Sequence, residues 1–120
     1  GVDTTRDTIE NLLDIEINYT YRVNFTSMIN IVDALGGVDI DVAEGMAVSK
    51  FYSDSTLEGV HEGSNHLNGK RALAYSRERK AYLDGDNQRA RNQQQVLQAM
   101  VKKATFARVV EKLYEYFRSH

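Results

Sequence analysis

The segment Tyr75-Ser76-Arg77-Glu78-Arg79 is followed, after a short loop, by Asp86-Asn87-Gln88-Arg89-Ala90-Arg91-Asn92-Gln93. From Lys70 to Arg91 seven Lys/Arg stand against three Asp/Glu, a local +4 in a chain of net charge −2, which leaves −6 for everything else. Guanidinium groups crowded against the global sign repel one another unless a counter-charge lies between them, so the cluster points to a dedicated anion site. Arginine dominates it. A planar fork that grips oxygens two at a time makes phosphate the first candidate ligand.

Spacing adds to composition. Arg77 and Arg79 project from the same face only if the chain is extended after Ser76, because in a helix they would diverge by about 200°. On the helix expected after Asp86, residues Arg89, Gln93 and Leu97 recur every four positions and share a face that continues into Val101. An Arg on such an inward stripe needs a negative partner, and a helix N-terminus with free N–H groups favours anions at the same place. Arg77, Arg79, Arg89 and Gln93 thus become the candidate site. A second reading of the same charges stays open, in which the three arginines form salt bridges with Glu78, Asp84 and Asp86 or sit solvated.

Other residues offer less. Asp39 and Asp41 alternate with Val38, Ile40 and Val42, which fits a solvent-facing strand side better than a metal site. His61, His66 and His120 have no zinc spacing and no cysteine to join. No phosphate-binding glycine loop, nucleophile elbow or metalloprotease helix occurs.

The elements that must position the cluster follow from periodicity. Thr5 to Leu13 predicts a short helix, and Ile17, Tyr19, Tyr21, Val23 and Phe25 alternate with polar residues as in a half-buried strand. Met28, Ile31, Val32 and Leu35 predict a helix behind a Thr26 cap, stopped by Gly36-Gly37. Val38 to Val42 reads as a second strand, so the first half is a strand-helix-strand unit of the kind that usually makes a parallel pair. Residues 43–66 read as a long polar excursion with one short strand near Val48 to Tyr52. Asn68-Gly69 turns into a helix from Lys70 to Ser76. Asp86 is expected to cap a longer helix to Lys103, with Gln93, Leu97, Met100, Val101 and Ala104 on one side. A final amphipathic segment carries Phe106, Val109, Val110, Leu113 and Phe117 on one stripe.

At chain level, 120 residues with 42% hydrophobic content suit a single domain over residues 1–120 with a real core. The slightly acidic total argues against a nucleic-acid partner, whose footprint would be a broad basic face. Cysteine and proline are both absent. No apolar run approaches the roughly 20 residues needed to cross a bilayer. The start at Gly1, without an initiator Met, suggests a piece of something longer, so the missing leader or anchor says nothing of the parent.

The ordered blocks Val23-Asn24-Phe25, Asp33-Ala34-Leu35-Gly36-Gly37-Val38-Asp39-Ile40, Gly63 to Leu67-Asn68-Gly69, Ala72-Leu73-Ala74-Tyr75-Ser76-Arg77-Glu78-Arg79, and Gly85-Asp86 to Arg89 with Gln93-Gln94 resemble the catalytic domain of the LytR-CpsA-Psr family over about residues 1–105. The resemblance implies an α/β fold, an α/β/α sandwich with a central mixed sheet flanked by helices, that holds a polyprenyl pyrophosphate with its tail in an apolar cleft. The implied activity is phosphotransfer: a phosphoglycan such as teichoic acid or capsular polysaccharide moves from the polyprenyl pyrophosphate carrier to peptidoglycan. By similarity Arg77, Arg79 and Arg89 are catalytic, and the same three with Gln93 bind the pyrophosphate head group. The implied cofactor is Mg²⁺, with ligands expected upstream of Gly1 and none in this chain. The family's setting implies a single-pass parent on the extracellular face of the bacterial cytoplasmic membrane, anchored by a helix not in this chain. One departure stands out: many relatives carry Arg immediately before the matched Gln, where this chain has Asn92, so Arg91 is not assigned a role. A non-catalytic lipid-pyrophosphate-binding or envelope regulatory domain is the alternative, and this chain alone is expected to transfer little.

Overall fold

A computed structural model describes residues 7, 10–12 and 24–120. Residues 7 and 10–12 are helical, and Leu12 reaches the core. Most of the strand expected over Ile17 to Phe25, with Tyr19 and Tyr21, and therefore its parallel pairing, lies outside the described residues. Its last residue is described and differs, because Phe25 opens helix α1, Phe25–Ala34.

Asn24, not Thr26, caps α1, its side-chain oxygen accepting from the Ser27 amide at 3.1 Å. An N-cap needs an acceptor three residues before the amide it satisfies, and Asn24 stands there. Met28, Ile31 and Val32 are the buried stripe. Gly36 and Gly37, at φ 81° and 94°, turn the chain in the left-handed region that closes helices. A Cβ on Gly37 would also run into the His66 ring and the Leu67 carbonyl.

Strand β1, Val38–Val42, then pairs antiparallel with β2, Gly63–Leu67, in the register Val38↔Leu67 to Val42↔Gly63. Val38, Ile40, Val42, Asn65 and Leu67 are buried, while Asp39, Asp41, Ser64 and His66 are exposed. The α/β class stands. Among the described residues the sheet has two strands with one covered face, so the three layers of the expected sandwich are not all built from them. The short strand expected near Val48 to Tyr52 reduces to a single bridge, Val48↔Val60.

Helix α2, Gly69–Arg77, begins as the sequence predicts, with Asn68 accepting from the Arg71 amide at 3.0 Å. It packs on α1 and on α3, Gly85–Ser119, which also packs on β1. The two segments expected after Asp86 are one continuous 35-residue helix. At about 1.5 Å per residue it runs roughly 50 Å and accounts for the 55 Å long axis of the molecule. The core gathers Met28, Val32, Ile40, Phe51, Leu67, Leu73, Val96 and Met100 from all these elements and the loop after β1. Beyond Ala104 the helix leaves it: Phe106, Val109, Val110, Leu113 and Phe117 are all exposed.

Candidate functional site

The buried stripe of α3 is Asn92, Val96, Met100 and Ala104, one residue earlier than the stripe expected from Gln93, Leu97 and Val101. Gln93 and Leu97 are half-buried and Val101 is exposed. Asn92 explains the rotation of about 100°. Its amide donates to the Tyr75 carbonyl at 3.2 Å and the Tyr82 hydroxyl at 3.0 Å, and its oxygen accepts from Gln88 at 2.9 Å. A fully bonded amide costs little to bury, so this polar residue behaves as core. Arg89 and Gln93 consequently lie at the rim of the stripe and not on its inward face.

Asp86 is not the cap of α3. Asp84 holds that position without its side chain accepting from a helix backbone amide, and Asp86 falls in the first turn. There its Oδ1 lies 3.5 Å from Arg79 Nη1 and 3.7 Å from Arg89 Nη2. Two arginines from separate segments thus converge on one carboxylate oxygen at a helix N-terminus. Both pairs are long and about half exposed, and such pairs contribute only about 0–1 kcal/mol each. A stronger anion could replace the Asp86 contact at little cost. The salt-bridge reading of the sequence therefore holds for Asp86 with Arg79 and Arg89. It does not extend to Glu78, whose bonds are to backbone amides, and Asp84 accepts instead from Asn87.

Backbone geometry brings Arg79 there. Helix α2 ends at Arg77, one residue beyond the expected end at Ser76, and Glu78 is extended at φ −65°, ψ 132°, in line with the extension expected there. Gly85 packs against Arg79 so closely that a Cβ would stand 2.5 Å from the Arg79 carbonyl oxygen. Any side chain at Gly85 would push the start of α3 off the arginine segment.

Arg77 goes elsewhere. Its guanidinium carbon lies 4.5 Å from the centre of the Phe25 ring, a cation–π contact. It borders a cavity of about 240 Å³ lined by Lys70, Arg77, Asp54 and Ser53 at polar positions and by Ile29, Leu57, Leu73 and Ala74 at apolar ones. Arg79, Arg89 and Gln93 do not line this cavity. The expected meeting of all four residues around one space is thus corrected to a pair, Arg79 with Arg89, and a separate Arg77. Sequence reasoning passed over Lys70, although Lys70 and Arg77 are seven residues apart on α2 and share a face.

Arg71, counted in the basic cluster, is a structural residue. Its guanidinium donates to the carbonyls of Glu58 at 3.0 Å, Gly59 at 2.6 Å and His66 at 3.1 Å, fastening the excursion to α2. Arg91 turns back to Gln88 at 2.9 and 3.0 Å. Tyr75 bonds Gln95, and burial with nearby Tyr82 pushes its hydroxyl up to about 12. His66, given no role by the sequence, bridges Asp39 at 2.7 Å and the Gly36 carbonyl at 2.8 Å. That bond chiefly, with Lys103 and Lys102 adding, holds the Asp39 carboxyl below its usual range.

Among the described residues no group of three or more His, Cys, Asp or Glu could hold a metal ion, and Asp86 is taken by two guanidiniums. They do not by themselves build a magnesium site. Among the same residues no helix is long and apolar enough to cross a membrane.

The class defined by this geometry is an α/β module that presents paired arginines at the start of a long helix. The chain belongs to the LytR_cpsA_psr family, whose model matches residues 1–119. It is 36% identical over 118 residues to the polyisoprenyl-teichoic acid–peptidoglycan teichoic acid transferase TagU of Bacillus licheniformis, covering 98% of this chain and 36% of that protein. With TagT of Bacillus subtilis it shares 37% over 105 residues, 87% of this chain and 32% of the other. The crystal structure of B. subtilis TagT superposes with a TM-score of 0.59 at 34% identity, over 68% of this chain and 33% of that one. A structure of the LytR-CPS2A-psr family protein YwtF (TagT) with bound octaprenyl pyrophosphate lipid gives 0.56 at 28% identity, over 70% and 32%. The chain spans about a third of the length of the curated relatives it matches.

Proposed function

We propose that this chain is the pyrophosphate-facing part of a cell-wall glycan phosphotransferase, which moves a phosphoglycan such as teichoic acid or capsular polysaccharide from a polyprenyl pyrophosphate carrier to peptidoglycan. The observation that carries the reading is the convergence of Arg79 and Arg89 on one weakly held carboxylate. Relatives named as teichoic acid transferases and a family structure with octaprenyl pyrophosphate supply the substrate class.

In the reaction, a sugar hydroxyl of peptidoglycan forms a bond to the phosphorus nearer the glycan. The bridging P–O bond breaks, polyprenyl phosphate leaves with the electron pair, and the proton of the attacking hydroxyl passes to the departing phosphate or to water. Arg79 and Arg89 exchange Asp86 for phosphate oxygens and offset the negative charge that grows on them in the transition state, where a fixed donor is worth most. Arg77 and Gln93 flank the head group in this reading. Localisation at the extracellular face of the bacterial cytoplasmic membrane, and a membrane anchor, belong to the same proposal, and any magnesium beside the head group would draw ligands from outside the described residues.

Asp86 being engaged by two cations favours a second reading for this chain taken alone, a lipid-pyrophosphate-binding domain in which Asp86 serves as a counter-charge and not as a proton acceptor. The test is Arg79→Ala with Arg89→Ala in the intact protein, assayed for transfer from a polyprenyl-pyrophosphate-linked glycan and for binding of geranylgeranyl pyrophosphate. Loss of transfer in the double variant supports the enzyme reading; an unsubstituted protein that binds the lipid but does not transfer favours the binding domain, and unchanged transfer in the double variant overturns the proposal.

A further inference from the structure

Glu78 stands between two arginines of the cluster, yet it is buried at 3% exposure while both neighbours are exposed. A carboxylate out of water is costly unless its oxygens are bonded. Here they are bonded by backbone amides: Oε1 accepts from Tyr52 N at 2.8 Å, and Oε2 from Arg79 N at 3.1 Å and Ala81 N at 3.3 Å. Those acceptor positions are used for local shape. The two bonds to Arg79 and Ala81 curl the chain immediately after α2, and the bond to Tyr52 ties that curl to the loop whose residues Ser53, Asp54 and Leu57 wall the Arg77 cavity. With the middle side chain drawn inward, the arginines on either side must point outward.

We propose that Glu78 is a positioning residue for the anion site, which acts through Arg79 by fixing its amide so that the guanidinium arrives at Asp86 and Arg89. It touches no ligand itself. The same carboxylate keeps the cavity wall in register with the arginine pair, so one buried side chain holds both parts of the site. This inference rests on the pyrophosphate reading above.

A double-mutant cycle separates this role from general stability, since coupling appears only between residues that act together. Glu78→Gln keeps one oxygen acceptor but leaves either Tyr52 or the Arg79–Ala81 pair unbonded, and is the variant of choice because Glu78→Ala risks misfolding. Geranylgeranyl pyrophosphate affinity of the intact protein is expected to fall about 10-fold with Glu78→Gln, and by less than about 2-fold when Arg79→Ala is already present. An equal loss in both backgrounds, or no loss, overturns the proposal. Should the wild type bind no pyrophosphate, the functional reading fails first. Glu78 is then judged by the nuclear Overhauser contact between Arg79 and Gly85, which is expected to vanish in Glu78→Gln; persistence of that contact refutes positioning.

Discussion

Arg71 and the Arg79–Arg89 pair lie on neighbouring parts of the same basic segment and are held in opposite ways. Arg71 spends its fork on three main-chain carbonyls and becomes a staple that ties α2 to Glu58 and Gly59 of the excursion and to His66 of β2. Arg79 and Arg89 reach a single shared carboxylate oxygen at distances of 3.5 and 3.7 Å. Charge density is alike in both places; the number of good acceptors differs. A guanidinium already satisfied by backbone has nothing to offer a ligand, whereas two that share one exposed carboxylate can exchange it for phosphate.

Substitutions should split along that line. The largest expected effect on stability is Arg71→Ala, which leaves three carbonyls without their charged donor and costs about 2–4 kcal/mol in urea unfolding. A loss below 1 kcal/mol, on the order of a surface pair, would erase the contrast. Gly85→Ala comes next: the added Cβ meets the Arg79 carbonyl, so a penalty of about 1–3 kcal/mol accompanies weaker pyrophosphate binding. If its calorimetric affinity matched wild type, the close packing of α3 on the arginine segment would be irrelevant to the site. Arg89→Ala should barely move the unfolding midpoint, by less than about 1 kcal/mol, because its partner is exposed and distant.

The smallest effect is a pH dependence away from the site. Asp39 is held below its usual value by His66, so its contribution is present above the ordinary carboxylate range and fades as pH falls through the depressed value. Stability of wild type and Asp39→Asn should converge below that range and separate above it; parallel curves would remove the His66 bond from the account. The Tyr75 hydroxyl, raised to about 12, works at the other end. It stabilises fully below pH 10 and loses that contribution as pH rises from 10 to 12, because the unfolded chain gives up the proton first.

What the sequence disclosed was the chemistry that is local. Asn68-Gly69 announced α2 because a cap and its amide are three residues apart, and the extended Glu78 followed from the spacing of Arg77 and Arg79. Strand β2 escaped notice because Gly63-Ser64-Asn65-His66-Leu67 carries a single large apolar residue; Asn65 is buried through bonds to His61 and Gly63, which no periodicity records. The same cause rotated α3. Asn92 reads as polar and outward until Tyr75 and Tyr82 are seen to meet it across the fold, and with it the inward placement of Arg89 was lost. Of the candidate site, the residue types and the role of Arg79 and Arg89 as neighbours were legible. The diversion of Arg77 onto Phe25 was not, since it depends on where α1 lies.

Calorimetric titration of the intact protein with inorganic pyrophosphate, repeated for Arg79→Ala and Arg89→Ala, tests most directly whether two arginines make one site. One pyrophosphate per chain, bound at least about 10-fold more weakly when either arginine is removed, is the expected result. Affinity that neither substitution changes would contradict it.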